Sequence, residues 1–340
     1  RSGTYSCSRS RLYCRQKVFA TTEKCRNRID DDCDGRVDEI CGSLEYYVVS
    51  DAAGKASKSY YAYSSKKGKG YYRVTTYRYA RACNGYYPII ISPSTTFMRP
   101  VAYNCDGQAF NVRIGAPGTT SGSLEDRGFN ALVPGRYVGS AQAVVNGESC
   151  SSKSPYACGI YRQYATTSTG RSETMAVYRI SKGYYRIKYS GCSNAYRPVF
   201  ATIYSSTVKG YITHYYNSSG YCYVRTFNLK GDLANRKFAF WIPNEKNHAW
   251  AQVSTGGTLS SSNYFGDQRA RWKTSIYSST SNFSYYRTTF PASPSTVFTQ
   301  SRGYAPYYAV STGTTTAYTY TYNVKTRKKA PWYFAILFIQ

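Results

Sequence analysis

The tightest constraint on this chain is a period of two. Residues 316–325 read T-A-Y-T-Y-T-Y-N-V-K, which puts Tyr318, Tyr320, Tyr322 and Val324 on one face of an extended segment and Thr319, Thr321, Asn323 and Lys325 on the other. The same alternation sets Tyr223, Phe227 and Leu229 on a common face, and likewise Phe238, Phe240 and Ile242. Successive side chains of a strand point to opposite faces, so this pattern suits strands and frustrates helices. Composition agrees. The 340 residues include 40 tyrosines but only 8 leucines, and threonine and tyrosine prefer pleated surfaces. Clusters of Gly, Pro, Asn and Ser separate the runs, as turns require. A helical bundle is excluded, and no uncharged apolar stretch approaches the roughly 20 residues of a membrane-spanning helix. The expected fold class is all-β.

An internal echo sharpens the expectation. Gly70-Tyr71-Tyr72-Arg73-Val74 recurs as Gly183-Tyr184-Tyr185-Arg186-Ile187, each followed by a cysteine, an aromatic-Pro-aliphatic stretch around Pro88 or Pro198, and a second cysteine. This reading pairs Cys83 with Cys105 and Cys192 with Cys222 as equivalent disulfides of two related β-sandwiches, and closes a small loop with Cys150–Cys158. A third copy without cysteines is expected to start near Asn235 and finish with the strand Tyr318 to Val324. The expected organisation is a cysteine-rich segment over 1–42 and antiparallel, jelly-roll-like β-sandwiches over 43–165, 166–234 and 235–340. The G-Y-Y-R-V strand, the L-V-P-G-R-Y-V stretch at 132–138 and the closing Tyr-rich strand loosely resemble the pre-peptidase C-terminal type of bacterial secreted sandwich. That resemblance implies an accessory domain without catalysis.

Eleven cysteines with no C-x-x-C and only two histidines, His214 and His248, favour disulfides over a zinc site. Disulfides place the chain in an oxidising compartment, and it reads as a mature exported chain whose leader has been removed. The formal charge is +27, of which residues 43–340 carry +25. The basic residues are spread thinly and no nucleic-acid-binding module is recognisable, so nucleic acid is not the expected partner.

Chemistry concentrates in the first segment, which holds five cysteines (7, 14, 25, 33 and 41) and six acids between Asp30 and Glu39. Asp30, Asp32 and Asp34 alternate ahead of Gly35, the opening half of a calcium loop. The carbonyl of Arg36 can turn inward, and Asp38 falls at the ninth loop position. Cys41 stands where an EF-hand needs its glutamate, so this is not an EF-hand. The run from Cys25 to Cys41 is similar to the C-x-N-x-I-D-D-D-C-D-G-x-V-D-E-x-C metal-binding signature of bacterial secreted proteins, matching at Cys25, Asn27, Ile29 to Gly35, Val37 to Glu39 and Cys41. Arg26 and Arg28 depart from its usual glycines. The core also resembles thrombospondin type 3 calcium repeats. The resemblance implies an exported bacterial surface protein. Six carboxylates in ten residues repel without a cation, and oxygen donors favour calcium. The ion and disulfides involving Cys25, Cys33 and Cys41 are expected to hold a segment too poor in apolar residues to hold itself.

No catalytic constellation stands out. There is no G-x-S-x-G and no H-E-x-x-H, and Glu125, Asp126, Asp232, Glu245 and Asp267 form no recognisable pair. Forty tyrosines exceed what three cores need, so many are expected at interfaces. The terminal run 331–339, with Trp332, Phe334, Ile336 and Phe338, is the most apolar in the chain. It reads either as a strand of its own sandwich or as one donated to the open sheet edge of a neighbouring subunit. The preferred expectation is a non-enzymatic subunit of an extracellular filament or surface layer, self-associating into a homopolymer. The alternative is a secreted carbohydrate-binding or adhesion protein. Asn217-Ser218-Ser219 and Asn282-Phe283-Ser284 add a weak suggestion of attached glycans.

Overall fold

A computed structural model describes residues 3–8, 11–16, 46–76, 88–93, 100–106, 109–116, 122–151, 157–193, 197–218, 220–244, 248–264, 273–277, 285–289, 296–302, 307–312, 316–323, 325–326 and 328–339. Among these the only helical element is a 3-10 turn at Ser190–Ser193; the rest is strand and turn. The chain divides into two compact units, residues 1–44 with 135–137, and the remainder. In the first, β1 (Gly3–Ser8) and β2 (Arg11–Gln16) pair antiparallel from Gly3↔Gln16 to Ser8↔Arg11.

The second unit is built from the same eight-strand set used three times. The first set is β3 (Tyr46–Ser50), β4 (Ala56–Tyr60), β5 (Ala62–Gly68), β6 (Tyr71–Thr76), β7 (Ile90–Pro93), β8 (Val101–Asp106), β9 (Ala109–Ile114) and β10 (Phe129–Val133). The second is β11 (Ala141–Cys150), β12 (Cys158–Ala165), β13 (Ala176–Ser181), β14 (Tyr184–Lys188), β15 (Phe200–Tyr204), β16 (Tyr211–Ser218), β17 (Tyr221–Phe227) and β18 (Phe238–Ile242). The third is β19 (Ala249–Val253), β20 (Leu259–Tyr264), β21 (Lys273–Tyr277), β22 (Tyr285–Thr289), β23 (Thr296–Ser301), β24 (Tyr307–Thr312), β25 (Thr316–Asn323) and β26 (Phe334–Ile339). In every set an inner sheet takes the set's strands in the order 2-1-8-5 and an outer sheet takes them in the order 3-4-7-6. The all-β antiparallel sandwich is therefore the fold, in triplicate. The sandwiches part near residues 134–140 and 243–248. The expected breaks at 165/166 and 234/235 fall inside the second set, because β11 and β12 pair with β18. The third copy runs from Ala249 to Ile339, not from Asn235 to the Tyr318 strand.

One side-chain pair recurs as the keystone of each sandwich. Tyr72, Tyr185 and Tyr286 point inward from the fourth strands, their rings 5.2, 5.0 and 4.9 Å from Phe129, Phe238 and Phe334 on the eighth. Each buried phenol donates to a carbonyl in the first hairpin region, Ala52 (3.1 Å), Gly147 (2.9 Å) or Thr255 (3.1 Å). Each also accepts a backbone N–H just ahead of the eighth strand, from Arg127 (2.9 Å), Arg236 (3.4 Å) or Trp332 (3.1 Å). A buried hydroxyl must find such partners, and here it ties both sheets to one point. Burial pushes the Tyr286 phenol up to about 12. The triplet Tyr-Tyr-Arg thus occurs a third time as Tyr285-Tyr286-Arg287.

The three inner sheets turn their backs on a common hub. Ile90, Leu132, Phe200, Trp241, Trp250, Phe298, Ala335 and Leu337 form one buried cluster spanning all three sandwiches. Its members come as equivalent cross-strand pairs: Leu132↔Ile90, Trp241↔Phe200 and Leu337↔Phe298. Around it the fifth strands hand hydrogen bonds to one another. Ile91 N–H donates to Thr202 Oγ1 (2.9 Å), Ala201 N–H to Gln300 Oε1 (3.0 Å), and Ser92 Oγ lies 3.4 Å from Thr299 Oγ1. Asn130 Nδ2 donates to Val297 O at 2.7 Å, again between sandwiches. Edges are covered in the same cyclic sense. β15 pairs in parallel with β8 through Ile203↔Ala102 and Tyr204↔Tyr103, β23 meets β16 at the parallel bridge His214↔Arg302, and β7 lies against β24. An open sheet edge exposes unpaired backbone groups, and each sandwich lends its neighbour the cover.

Candidate functional site

The acidic loop (Asp30, Asp32, Asp34, Arg36, Asp38) and Cys25, Cys33, Cys41 and Cys83 lie outside the described residues, as do Asn282 and Ser219 of the two acceptor tripeptides. Cys150 and Cys158 are disulfide-bonded with Cα atoms 4.0 Å apart, and Cys192 and Cys222 with Cα atoms 5.3 Å apart. Cys105 is also disulfide-bonded. It cannot be the counterpart of Cys222: Cys105 sits on a sixth strand, Cys222 on a seventh.

The terminal strand is accounted for inside its own sandwich. β26 pairs antiparallel with β19 on one side and β23 on the other, and Phe334, Ala335, Ile336 and Leu337 are fully buried. Both edges are used, so this strand is not on offer to a neighbouring subunit. Phe334 and Ile336 face the sandwich core while Ala335 and Leu337 face the hub. Trp332 lies just ahead of the strand, half-buried, its N–H on the Tyr286 phenol. Phe338 pairs through its backbone with Ala249 and Val297.

The carboxylates considered for chemistry serve turns. Asp126 accepts from Lys66 Nζ (2.7 Å) and from Gly70 N–H (2.7 Å), and Lys66 foremost holds its carboxyl below the usual range. Glu125 pairs with Arg127. Asp232 is drawn down chiefly by Lys325, 3.3 Å away across the seam between the second and third sandwiches. Glu245 and Asp267 lie outside the described residues. Both histidines are buried: His248 Nδ1 lies 2.6 Å from Asn244 Oδ1, and its ring stands edge-on to Trp241 at 4.7 Å. Among the described residues no three His, Cys, Asp or Glu gather in a metal-binding group. A shallow depression lined by Val208, Lys209, Asn228, Leu229, Lys230, Asp232 and Arg236 sits at the foot of the second outer sheet.

What the fold does present is three outward sheet faces of interleaved tyrosine and arginine. Along β25 the inward residues are Ala317, Thr319 and Thr321, while Tyr318 and Tyr320 are half-exposed. On this strand Thr319 and Thr321, not Tyr318 and Tyr320, face the core. β14 and β17 obey the same rule: Tyr185, Ile187, Cys222, Val224 and Thr226 point in, leaving Tyr184, Arg186, Tyr221, Tyr223 and Arg225 outside. The outer positions form a checkerboard. Tyr184 is directly opposite Arg225, and Arg186 is directly opposite both Tyr178 and Tyr223. Arg186 lies over the rings of Tyr178 (5.1 Å) and Tyr221 (5.0 Å), and Arg225 over Tyr184 (4.4 Å). Such pairs hold guanidinium groups in fixed orientation, each worth roughly 0.5–1 kcal/mol at an exposed site.

The other two faces are variations on it. In the first sandwich Arg113 lies 4.5 Å over Tyr71 and donates to Asn104 Oδ1, while Arg73 is paired with Asp106. In the third, Tyr285 packs against Tyr318 (5.4 Å) and Tyr320 (5.5 Å), and Lys329 caps Tyr320 at 4.4 Å. The tyrosine alternation was visible in the sequence, but alternation does not reveal which of two amphipathic faces goes inside. The arginines at the equivalent positions 73, 186 and 287 were a usable signal for these faces.

No family model, curated protein or solved structure matches this chain.

Proposed function

We propose that this chain is a non-enzymatic structural subunit of an extracellular filament or surface layer, joined to its surroundings through its outward sheet faces. One observation carries the reading: the three sandwiches spend their inner sheets on a shared hub and leave three aromatic, basic faces pointing away from it. Tyrosine and arginine are the residues enriched where proteins meet, and several such surfaces on one rigid body suit a lattice. The first face, with Arg73 neutralised by Asp106 and Tyr63 beside it 46% exposed, and the third, with its tyrosine cluster, have the composition of protein–protein contacts. The disulfides suit an oxidising, extracellular setting. Calcium belongs to the reading through the first segment, where the carboxylates of Asp30, Asp32, Asp34 and Asp38 and the carbonyl of Arg36 supply hard oxygen donors at loop spacing.

Electron microscopy and sedimentation of the purified full chain, with calcium and after chelation, test it. Filaments or sheets that fray on chelation are expected. Monomers under both conditions would overturn the subunit reading. A second reading, adhesion to carbohydrate, is favoured by the second face, whose tyrosines and arginines alternate along both central strands.

A further inference from the structure

The third sandwich has no cysteine anywhere in residues 249–339. In the second, a Cys192–Cys222 disulfide joins the end of β14 to β17, which ties the fourth strand to the seventh. The corresponding strands of the third are β22 and β25, and there a different pair of side chains meets. The register that puts Tyr286 opposite Thr319 carries Tyr285 to Tyr320, and their rings lie 5.5 Å apart at 54°. Directly opposed residues are the closest side-chain neighbours that two paired strands offer. Neither of the other sandwiches has this pair. Tyr71 and Tyr184, which match Tyr285, stand opposite Arg113 and Arg225 instead, and those guanidinium groups lie over their rings at 4.5 and 4.4 Å. Tyr285 and Tyr320 are both half-exposed on the outward face, so a diffusible oxidant reaches them. Tyr318, the diagonal neighbour of Tyr285, stands at 89° to it, one ring edge turned toward the other's face.

We propose that Tyr285 and Tyr320 are a site of oxidative cross-linking, where a carbon–carbon bond between the two rings braces the same strands that the second sandwich ties with a disulfide. The oxidant is hydrogen peroxide acting through a haem peroxidase. Each phenol gives up one electron and one proton, and one peroxide is reduced to two waters. The two phenoxyl radicals join at ring carbons ortho to their oxygens. The hydrogens on those carbons then move to the oxygens, which restores two phenols. The bond closes a loop over residues 285–320, comparable with the 30-residue separation of Cys192 and Cys222. Such a link restricts the unfolded chain more than the folded one, as a disulfide does. The inference goes beyond the subunit reading and needs only a single chain.

The test treats the purified full chain with hydrogen peroxide and a haem peroxidase, dilute enough for the product to remain a single chain. Expected are dityrosine fluorescence, an intact mass lower by two hydrogens, and a proteolytic fragment in which the segment holding Tyr285 is bonded to the one holding Tyr320. The thermal midpoint of the treated chain is expected to rise by several degrees. Tyr285→Phe and Tyr320→Phe, which keep the rings and their packing, are each expected to lose both the linked fragment and the rise. Tyr318→Phe is expected to retain both, as is Tyr277→Phe, at the position that the register of β21 sets opposite Tyr285 on its other side. Midpoints of the untreated variants show whether each keeps its fold. A link from Tyr285 to Tyr318 or Tyr277 in place of Tyr320 would overturn the site. So would the absence of dityrosine under conditions that couple free tyrosine. A Tyr285–Tyr320 link that leaves the midpoint unmoved would overturn the bracing role.

Discussion

His214 and Tyr103 occupy the same place in two sandwiches, each opposite the strand valine that the keystone tyrosine also faces, and each at a junction with the next sandwich. Tyr103 meets Tyr204 edge-on at 5.2 Å and its hydroxyl accepts Ile89 N–H. His214 meets Arg302, and burial first, then that guanidinium, holds its imidazole well below the ordinary histidine range. Among the described residues neither ring nitrogen has a hydrogen-bond partner. The folded state therefore keeps His214 neutral, whereas the unfolded chain takes up a proton near pH 6.5. Because the unfolded state binds the extra proton, stability is intact above that pH and declines as pH falls, by about 1.4 kcal/mol per pH unit for this group. His214→Phe is expected to flatten that slope. Urea unfolding of both proteins at pH 7.5, 6 and 5 checks it, and parallel curves would show that the junction does not sense protons.

At the scale of elements, hairpins set where each sheet turns. Gly70 and Gly183 close the third-to-fourth-strand hairpins at φ +58° and +65°, and a Cβ on Gly183 would stand 2.5 Å from Thr226 O and 2.6 Å from Ala234 N. Their own N–H groups are taken by Asp126 Oδ1 and Asn235 Oδ1. Gly183→Ala is expected to cost at least about 1–2 kcal/mol for the left-handed backbone alone, with the clash added. A thermal midpoint unchanged from wild type would contradict the tight fit. The G-Y-Y-R signal was legible in the sequence because this hairpin is local. The eighth strands were harder to read. F-A-F-W-I and F-A-I-L-F-I are continuously apolar because one face fills a sandwich and the other fills the hub. A run apolar on both faces carries no sign of its partner, which is why the last strand reads equally as one of its own or one to be donated.

For the whole molecule, the hub makes three small sandwiches into one body. Each large apolar side chain fully buried there contributes roughly 1.5–3 kcal/mol, and the Thr202, Gln300 and Asn130 hydrogen bonds fix the order of sandwiches around it. Trp241→Ala, which removes one of the two hub tryptophans, is expected to cost about 3–5 kcal/mol. It is also expected to split a single calorimetric transition into more than one. A single transition at a lower temperature would mean that the sandwiches stay coupled through their shared edges instead.

The sequence by itself determined the all-β fold class, the Gly, Pro, Asn and Ser clusters that separate its strands, and that a tyrosine-arginine strand recurs, because these follow from the two-residue period and from local backbone chemistry. Tertiary structure alone decided that Thr319 and Thr321 rather than Tyr318 and Tyr320 face inward from β25, that Phe334 and Ile336 complete their own sandwich, and that Leu132, Trp241 and Leu337 meet across some two hundred residues. Those outcomes depend on which apolar face finds another to exclude water with, and that choice is made only when distant segments meet.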